Sequence, residues 1–183
     1  RRVISNSEKL IFVTNTMKEY FNNKYPGTEE KSFVLHWGYN EEDFENIEPT
    51  KNDCEILLHA GNIFDFQNPI ALWKTVKEEI KKGRNLKIRF VGTVSPAVKN
   101  SINEFGLSDI TEYKGFIPYK DVIKEVVSAD YLLVCATEPR HTPGKLFEYL
   151  RAGKPVIAFA DNNKDVKQMI EELTISGLLL NSN

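Results

Sequence analysis

A lysine and a glutamate one helical turn apart are the residues of this chain whose types and spacing could do chemistry. Lys145 falls in the first turn of a predicted helix, where a cation faces the positive end of the helix dipole at a cost of about 0.3–1 kcal/mol. A bound anion would reverse that effect, because open backbone N–H groups, the dipole and the ammonium would all favour it. Glu148 lies on the same helix face and could accept hydrogen bonds from ribose hydroxyls. The pair suits a nucleotide diphosphate; a surface Lys–Glu pair, worth about 0.3–0.5 kcal/mol, is the alternative.

The helix that carries both residues has clear end signals in the sequence. Thr142 can cap it, Pro143 suits its first position, and Gly144 leaves backbone N–H groups open to a ligand. Gly153 can end it in a left-handed conformation, and a proline two residues later forbids its continuation. We therefore expect a helix over residues 144–152.

From residue 53 onward the hydrophobic pattern alternates between strands and helices. The predicted strands include nearly continuous apolar runs, as expected where both faces of a sheet are covered. They are 55–60, 86–91, 110–113, 131–136, 156–160 and 177–181. The predicted helices are 69–82, 96–105, 119–128, 144–152 and 165–173. This order predicts an α/β fold with an open, mostly parallel, doubly wound sheet of the Rossmann-like kind.

The first fifty residues follow a different pattern. Short strands at 9–13 and 32–36 flank a predicted helix at about 16–23. The stretch from residue 38 to about residue 52 is irregular and acidic and contains a proline, which is typical of a linker between domains.

Composition and charge exclude several classes of protein. The chain has 183 residues, of which 41% are hydrophobic and 27% charged, enough for a globular core. Its net charge of -2 gives no electrostatic case for binding nucleic acid or a membrane surface. No apolar run approaches the roughly 20 residues of a membrane span, and no signal peptide is visible.

The cysteines and histidines predict neither a disulfide nor a metal site. Cys54 and Cys135 lie in apolar strand contexts and read as buried thiols of a reducing compartment. His36, His59 and His141 are scattered without metal-ligand spacing. We therefore expect a cytoplasmic protein with neither a metal ion nor a cofactor.

Small and polar residues follow the predicted strands, at the sheet edge where doubly wound proteins bind ligands. Gly61 and Asn62 follow the first strand from residue 53 onward, and Gly92 follows the second. Phe116 and Ile117 belong to the loop after the third. The loop after the fourth strand leads into the lysine helix, so these positions form the candidate site.

The segment around the lysine resembles the donor-nucleotide motif of GT-B glycosyltransferases, especially glycosyltransferase family 4 and its relatives. That motif has a Lys, then a Glu-Tyr-(Leu/Met) or Glu-Ala-Met, then a Gly-x-Pro-Val-Ile. The matching residues are Lys145, Glu148-Tyr149-Leu150 and Gly153-Lys154-Pro155-Val156-Ile157. Residues 34–44 resemble the family's interdomain connection, and residues 54–62 resemble the first strand of its second domain. Three further short segments match the family in the same order, namely Phe90-Val91-Gly92, Tyr113-Lys114-Gly115 and Ser128-Ala129-Asp130.

The resemblance implies roles for the matching positions. As the catalytic pair, Lys145 would contact the diphosphate and Glu148 the ribose. The turn that contains Phe116 and Ile117 would hold the base, and Gly61 would let the phosphates approach the chain. The other residues expected at the donor site are Asn62, Gly92, Arg140, Pro143, Gly144 and Leu146.

Three positions depart from the family pattern. Asn62 stands where many members have Arg, and Gln67 or Asn68 stands where they have a second Lys. Lys145 would therefore carry most of the charge directed at phosphate. Arg140 occupies the position of a second Glu near the donor sugar. It could bind phosphate or an acidic sugar, or it could lie in solvent.

The resemblance also implies an organisation and a reaction. Residues 1–50 would be the tail of an N-terminal acceptor domain plus the linker, and residues 51–183 the nucleotide-sugar donor domain, so that both ends look cut. The full-length enzyme would transfer a sugar to an unknown glycan or lipid acceptor, in bacterial polysaccharide biosynthesis, with possible peripheral membrane association. The isolated chain would bind the donor but transfer sugar poorly.

Two other functions fit a sheet of this kind. One is a nucleotide-sugar epimerase of the UDP-N-acetylglucosamine 2-epimerase type. The other is a non-catalytic, receiver-like or structural Rossmann-like module. A receiver is disfavoured because Ala60, Gly61 and Asn62 stand where it needs an acidic cluster. A dinucleotide dehydrogenase is disfavoured because residues 61–68 lack the G-x-G-x-x-G spacing.

Overall fold

The computed structural model describes residues 2–173 and 178–180 of the chain. These residues contain seven α-helices and eight β-strands. The helices are α1 (Arg2–Asn6), α2 (Asn15–Lys24), α3 (Ile70–Lys81), α4 (Pro96–Glu104), α5 (Tyr119–Ser128), α6 (Lys145–Ala152) and α7 (Lys164–Leu173). The strands are β1 (Leu10–Phe12), β2 (Ser32–Val34), β3 (Glu55–Ala60), β4 (Leu86–Val91), β5 (Thr111–Tyr113), β6 (Tyr131–Cys135), β7 (Val156–Phe159) and β8 (Leu178–Leu180).

The main sheet has six parallel strands in the order β5-β4-β3-β6-β7-β8. The chain winds outward from β3 to β5, then returns to β6 on the other side of β3. Strand order therefore reverses between β3 and β6, which is where such sheets open a ligand crevice. The predicted doubly wound parallel sheet is confirmed.

Two apolar clusters cover the opposite faces of this sheet. Helices α3 and α4 bury Trp73, Val98 and neighbouring side chains on one face. Helices α5, α6 and α7 bury Val126, Tyr149 and Val166 with others on the second face. Successive strand residues point to alternate faces, so both sets are apolar, and the nearly continuous apolar strand runs follow from this double coverage.

A smaller sheet pairs β1 with β2 in parallel, and α2 packs beside it. Two contacts tie this unit to the main sheet. The Asp165 carboxylate of α7 accepts a hydrogen bond from the Thr16 N–H at 3.3 Å, near the start of α2. The Arg140 guanidinium lies 4.8 Å from the centre of the Tyr20 ring. The loop before α6 is thus held on the N-terminal unit.

Most predicted elements occur, with shifts of one or two residues at their ends. Helix 119–128 has the predicted bounds, whereas α1 was not predicted. The predicted strand at 110–113 begins one residue later, because a 3₁₀ turn at Ser108–Ile110 takes its first position. The predicted strand at 177–181 is described only as β8, and its two outer residues lie outside the described residues.

Candidate nucleotide-binding site

The crevice forms because β3 and β6 stop pairing before their carboxyl ends. Their register joins only Leu57 to Tyr131 and Leu58 to Leu132. Beyond that point side chains supply the missing hydrogen-bond partners. The His59 ring bonds the Leu133 carbonyl through Nδ1 at 3.0 Å, and the Tyr149 hydroxyl accepts from the Ala60 N–H at 2.8 Å. The strands are thereby held apart without leaving these backbone groups unpaired.

Lys145 reaches across this crevice from α6. Its Nζ lies 3.1 Å from Nε2 of His59. Because Nδ1 of His59 donates to a carbonyl, Nε2 of the neutral ring is an acceptor, and the ammonium donates to it. The Asn62 carbonyl, 3.3 Å from Nε2, then receives no proton from it. Burial, and then the nearby ammonium, lower the pKa of His59 to about 3, which keeps the ring neutral.

The Lys145 ammonium has no ionic partner in the described part of the chain. No carboxylate there lies within 4.0 Å of Nζ. Burial lowers the pKa of Lys145 to about 8, while Cys135 and Glu148 oppose the shift. A half-buried cation without a counter-charge is costly, and an anion bound beside it would offset that cost.

Two glycine turns make room for the ammonium. Gly61 has a φ of +102°, and a Cβ there would lie 2.8 Å from Nζ of Lys145. Gly92 has a φ of +107°, and a Cβ there would lie 2.8 Å from the carbonyl of Gly61. The turn after β4 therefore supports the turn after β3, which in turn leaves space for the lysine.

A cavity of about 280 Å³, here called the Glu148 cavity, opens on one side of the lysine. The Tyr119 hydroxyl donates to Glu148 Oε1 at 2.7 Å, so the carboxylate points at a fixed position. Burial, then the bond to Glu148, raise the pKa of Tyr119. The cavity is lined by Ala60, Gly61, Val91, Gly92, Phe116, Ile117, Tyr119, Val122, Lys145 and Glu148. Phe116 is 81% exposed and so leaves its ring free for a flat ligand.

A second cavity of about 310 Å³, here called the His141 cavity, lies on the other side of the lysine. It is lined by Asn62, Phe64, Phe66, Gln67, Val134, Cys135, Glu138, His141, Pro143, Gly144 and Lys145. Two exposed rings at its edge, Phe64 and Phe66, stack with centres 5.8 Å apart. Lys145 lines both cavities, so its ammonium stands where a ligand spanning them would pass.

The start of α6 differs from the sequence expectation. The helix begins at Lys145, and Gly144 occupies the N-cap position without a side-chain cap. The predicted Thr142 cap and the placement of Pro143 in the first turn are wrong. The Pro143 carbonyl instead accepts the Leu146 N–H at 3.0 Å, and the Thr142 hydroxyl is buried without a partner among the described residues. The predicted left-handed end at Gly153, with a φ of +66°, is confirmed.

The new helix start leaves donors at the crevice. The N–H groups of Gly144 and Lys145 have no hydrogen-bond partner in residues 2–173 and 178–180. Both residues line the His141 cavity. Unpaired N–H groups at a helix N-terminus favour an anion.

The structure does not bring two of the predicted site residues to these cavities. Leu146 is fully buried in the core under α6, and its N–H already bonds a carbonyl. Arg140 donates to Glu138 at 2.8 Å and stacks on Tyr20. An arginine held between a carboxylate and a ring is not aimed at the crevice. The cation that lines both cavities is Lys145.

Sequence reasoning missed three residues that shape the site. His59 interrupts an otherwise apolar strand two residues before a glycine turn, and that interruption is a signal in the sequence. Tyr149 belongs to the matched motif, but its hydrogen bond to the Ala60 N–H joins distant segments, and no local pattern marks Tyr119, which donates to Glu148. Among the described residues no group of three or more His, Cys, Asp or Glu could hold a metal ion. None of their helices is long and apolar enough to cross a membrane.

The fold is a Rossmann-like parallel sheet that opens into a crevice at the carboxyl ends of β3 and β6. The sequence profile of the family described as glycosyl transferases group 1 matches residues 40–183. The match spans more than half of the chain, so this chain belongs to the group 1 glycosyltransferase family. This supports sugar transfer over the epimerase and the non-catalytic module. A search of curated proteins found no significant match.

Several solved structures share the fold. A glycosyltransferase from Rickettsia africae ESF-5 superposes with a TM-score of 0.74 at 21% identity, over 96% of this chain and 50% of that one. Anabaena HepE, solved in complex with UDP and glucose, superposes with a TM-score of 0.72 at 15% identity, over 96% of this chain and 50% of that one. WaaG, a glycosyltransferase involved in lipopolysaccharide biosynthesis, superposes with a TM-score of 0.69 at 18% identity, over 94% of this chain and 49% of that one. The chain spans about half the length of these proteins, and identities this low describe the fold alone.

Proposed function

We propose that this chain is the donor-binding part of a GT-B glycosyltransferase that transfers a sugar from a nucleotide-diphosphate sugar. The observation that carries the proposal is the Lys145 ammonium, which stands between two cavities without a carboxylate partner among the described residues. The complex of the fold neighbour HepE with UDP and glucose supports a nucleotide-sugar ligand.

Each part of the ligand has a matching part of the site. The diphosphate would bind the Lys145 ammonium and the free N–H groups at the start of α6. The nucleoside would enter the Glu148 cavity, with its ribose hydroxyls on the Glu148 carboxylate and its base near Phe116 and Ile117. The sugar would extend into the His141 cavity.

This arrangement would assist departure of the nucleoside diphosphate. As the bond to the sugar breaks, negative charge grows on the diphosphate, and fixed donors stabilise such charge best when water is excluded. Lys145 supplies the cation from a half-buried position, where its interaction is stronger than in bulk water. No metal ion is needed for this part of the proposal.

The wider organisation is also a proposal. Residues 1–50 would be the tail of the acceptor domain with the linker, and residues 51–183 the donor domain. Closure of the two domains would bring donor and acceptor together in the full-length enzyme. We further propose a cytoplasmic enzyme of bacterial polysaccharide assembly with a glycan or lipid acceptor, consistent with WaaG as a fold neighbour.

Calorimetry with UDP, GDP, ADP and their sugars tests the proposal on the 183-residue chain. We expect one nucleotide to bind and to raise the melting temperature, which would also name the base. Transfer of sugar by this chain is expected to be poor. Absence of heat with all three at millimolar concentration, or unchanged binding in Lys145→Ala, would count against a nucleotide site.

A further inference from the structure

His59 is built into the sheet as a rigid acceptor. It is 2% exposed, its Nδ1 bonds the Leu133 carbonyl of the neighbouring strand, and its ring centre lies 6.2 Å from that of Phe90. These contacts fix both the tautomer and the ring plane, because a neutral ring that donates through Nδ1 accepts through Nε2. The free lone pair of the ring points at the Lys145 ammonium, 3.1 Å away.

The lysine needs such an anchor because its side chain is long and flexible. Both features that hold it come from the end of β3. His59 offers the acceptor, and Gly61 offers the space, since a Cβ there would lie 2.8 Å from Nζ. Without them the ammonium could turn toward Glu148 on its own helix, away from the His141 cavity.

We propose that His59 is the positioning residue of Lys145, holding its ammonium between the two cavities so that the remaining N–H donors meet the diphosphate. The inference rests on the proposed function. A neutral ring suits this task better than a carboxylate, because it orients the ammonium without neutralising the charge that the ligand needs. An ammonium has three donors, of which His59 takes one.

The groups that face the ammonium allow the contact to be followed by titration. They are His59 from β3, Cys135 from β6 and Glu148 from α6, with Glu138 and His141 on the wall of the adjoining cavity. Burial raises the pKa of Cys135 to about 12, so this thiol is uncharged at neutral pH. When the Lys145 ammonium donates a hydrogen bond to His59, the charged form of the amine is favoured. We therefore expect this contact to raise the pKa of Lys145.

Two substitutions separate the acceptor from the rest of the ring. His59→Asn keeps a donor for Leu133 but is too short to meet Nζ of Lys145. His59→Gln can place its carbonyl oxygen near the position of Nε2 and keep the lysine bond. NMR titration of ε-¹³C-labelled lysine, with the Lys145 signal assigned through Lys145→Arg, measures the effect without a ligand. Affinity is measured on the same proteins with UDP, the nucleotide of the HepE complex, or with GDP or ADP where calorimetry selects that base instead.

We expect a midpoint of about 8 for Lys145 in the unmodified chain. In His59→Asn it should fall by about one pH unit and UDP affinity by about tenfold, whereas His59→Gln should restore most of both. An unchanged midpoint in His59→Asn, or equal losses in the two variants, would overturn the inference. If the unmodified chain binds no UDP, GDP or ADP, the proposed function falls and the ligand role of the pair with it, even when the titration shift is seen.

Discussion

The two ends of the main sheet treat their polar groups in opposite ways. At the amino ends of the strands lies a cavity of about 590 Å³, larger than either cavity at the carboxyl ends. Two of its polar side chains are hydrogen-bonded to backbone N–H groups of the protein itself. The Asp130 carboxylate accepts the Ile56 N–H at 2.8 Å, and the Ser128 hydroxyl accepts the Thr50 N–H at 2.8 Å.

The carboxyl end has the smaller cavities, and it has Lys145, whose pKa is lowered to about 8 by burial. Within residues 2–173 and 178–180, the neutral His59 ring is the group at hydrogen-bond distance from the Lys145 ammonium, and the N–H groups of Gly144 and Lys145 have no partner at the His141 cavity. A charge that is desolvated by burial therefore marks the site better than cavity size does. The difference between the two ends follows from topology, because strand order reverses at β3 and β6 and only their carboxyl ends splay apart.

The largest expected difference in affinity is between two variants in which a lysine at one end of the sheet is replaced by alanine. Lys145→Ala removes the cation of the crevice, and we expect UDP affinity to fall by about 100-fold, the loss typical of a charge-assisted bond to phosphate. Lys154→Ala alters a lysine that lines the amino-end cavity and should leave affinity within about twofold. Calorimetry of both variants checks this. Similar losses in the two would erase the contrast between the ends.

Gly61→Ala should weaken UDP binding by about tenfold, because the new Cβ would displace the Lys145 ammonium. Gly83→Ala is the matched control. Gly83 also has a positive φ, of +90°, but no atom lies within 4 Å of a Cβ built there. Both variants should lose stability through backbone strain, and only the first should lose affinity. Equal affinity losses would show that the effect is strain rather than displacement of the lysine.

UDP affinity should fall as pH rises through about 8, by up to roughly tenfold per unit. The pKa of Lys145 in the free protein is about 8, and a bound diphosphate would raise it because it favours the ammonium. Above pH 8 binding therefore takes up a proton and weakens as protons become scarce. Calorimetry at pH 7, 8 and 9 measures this, and Lys145→Ala should show a flatter profile. A rise in affinity with pH would contradict the assignment.

The last comparison concerns two tyrosines and is measured by thermal unfolding. Tyr149→Phe leaves the buried Ala60 N–H without its acceptor, so the free energy of unfolding should fall by about 1–3 kcal/mol. Tyr131→Phe removes a half-buried hydroxyl at the amino end, beside the ion pair of Arg84 and Glu55, and should cost less than about 1 kcal/mol. A larger loss at Tyr131 would mean that the amino end, not the crevice, depends on its hydroxyl.

Local patterns predicted the elements, and distant contacts decided the site. The parallel sheet, helix 119–128 and the left-handed Gly153 follow from periodicity and end signals within a few residues. The partners of His59 and Tyr149 could not be predicted, because their spacing depends on how β3 and β6 splay. The prediction that Thr142 caps α6 was wrong, because the Leu146 N–H donates to the Pro143 carbonyl and the Thr142 hydroxyl has no partner among the described residues.

Two of the expected site residues lie away from the cavities because of contacts that no local pattern marks. Leu146 and Arg140 were expected near the ligand from their place in the motif, yet packing turns one into the core and a carboxylate with a ring holds the other. Lys145 and Glu148 could be identified because their one-turn spacing is a property of any helix.

The decisive experiment is a crystal structure of the chain with whichever of UDP, GDP and ADP binds in calorimetry. We expect a diphosphate oxygen within about 2.7–2.9 Å of Nζ of Lys145, with the nucleoside in the Glu148 cavity. A diphosphate bound at the amino-end cavity, or one in the crevice with Nζ turned away from it, would contradict the account.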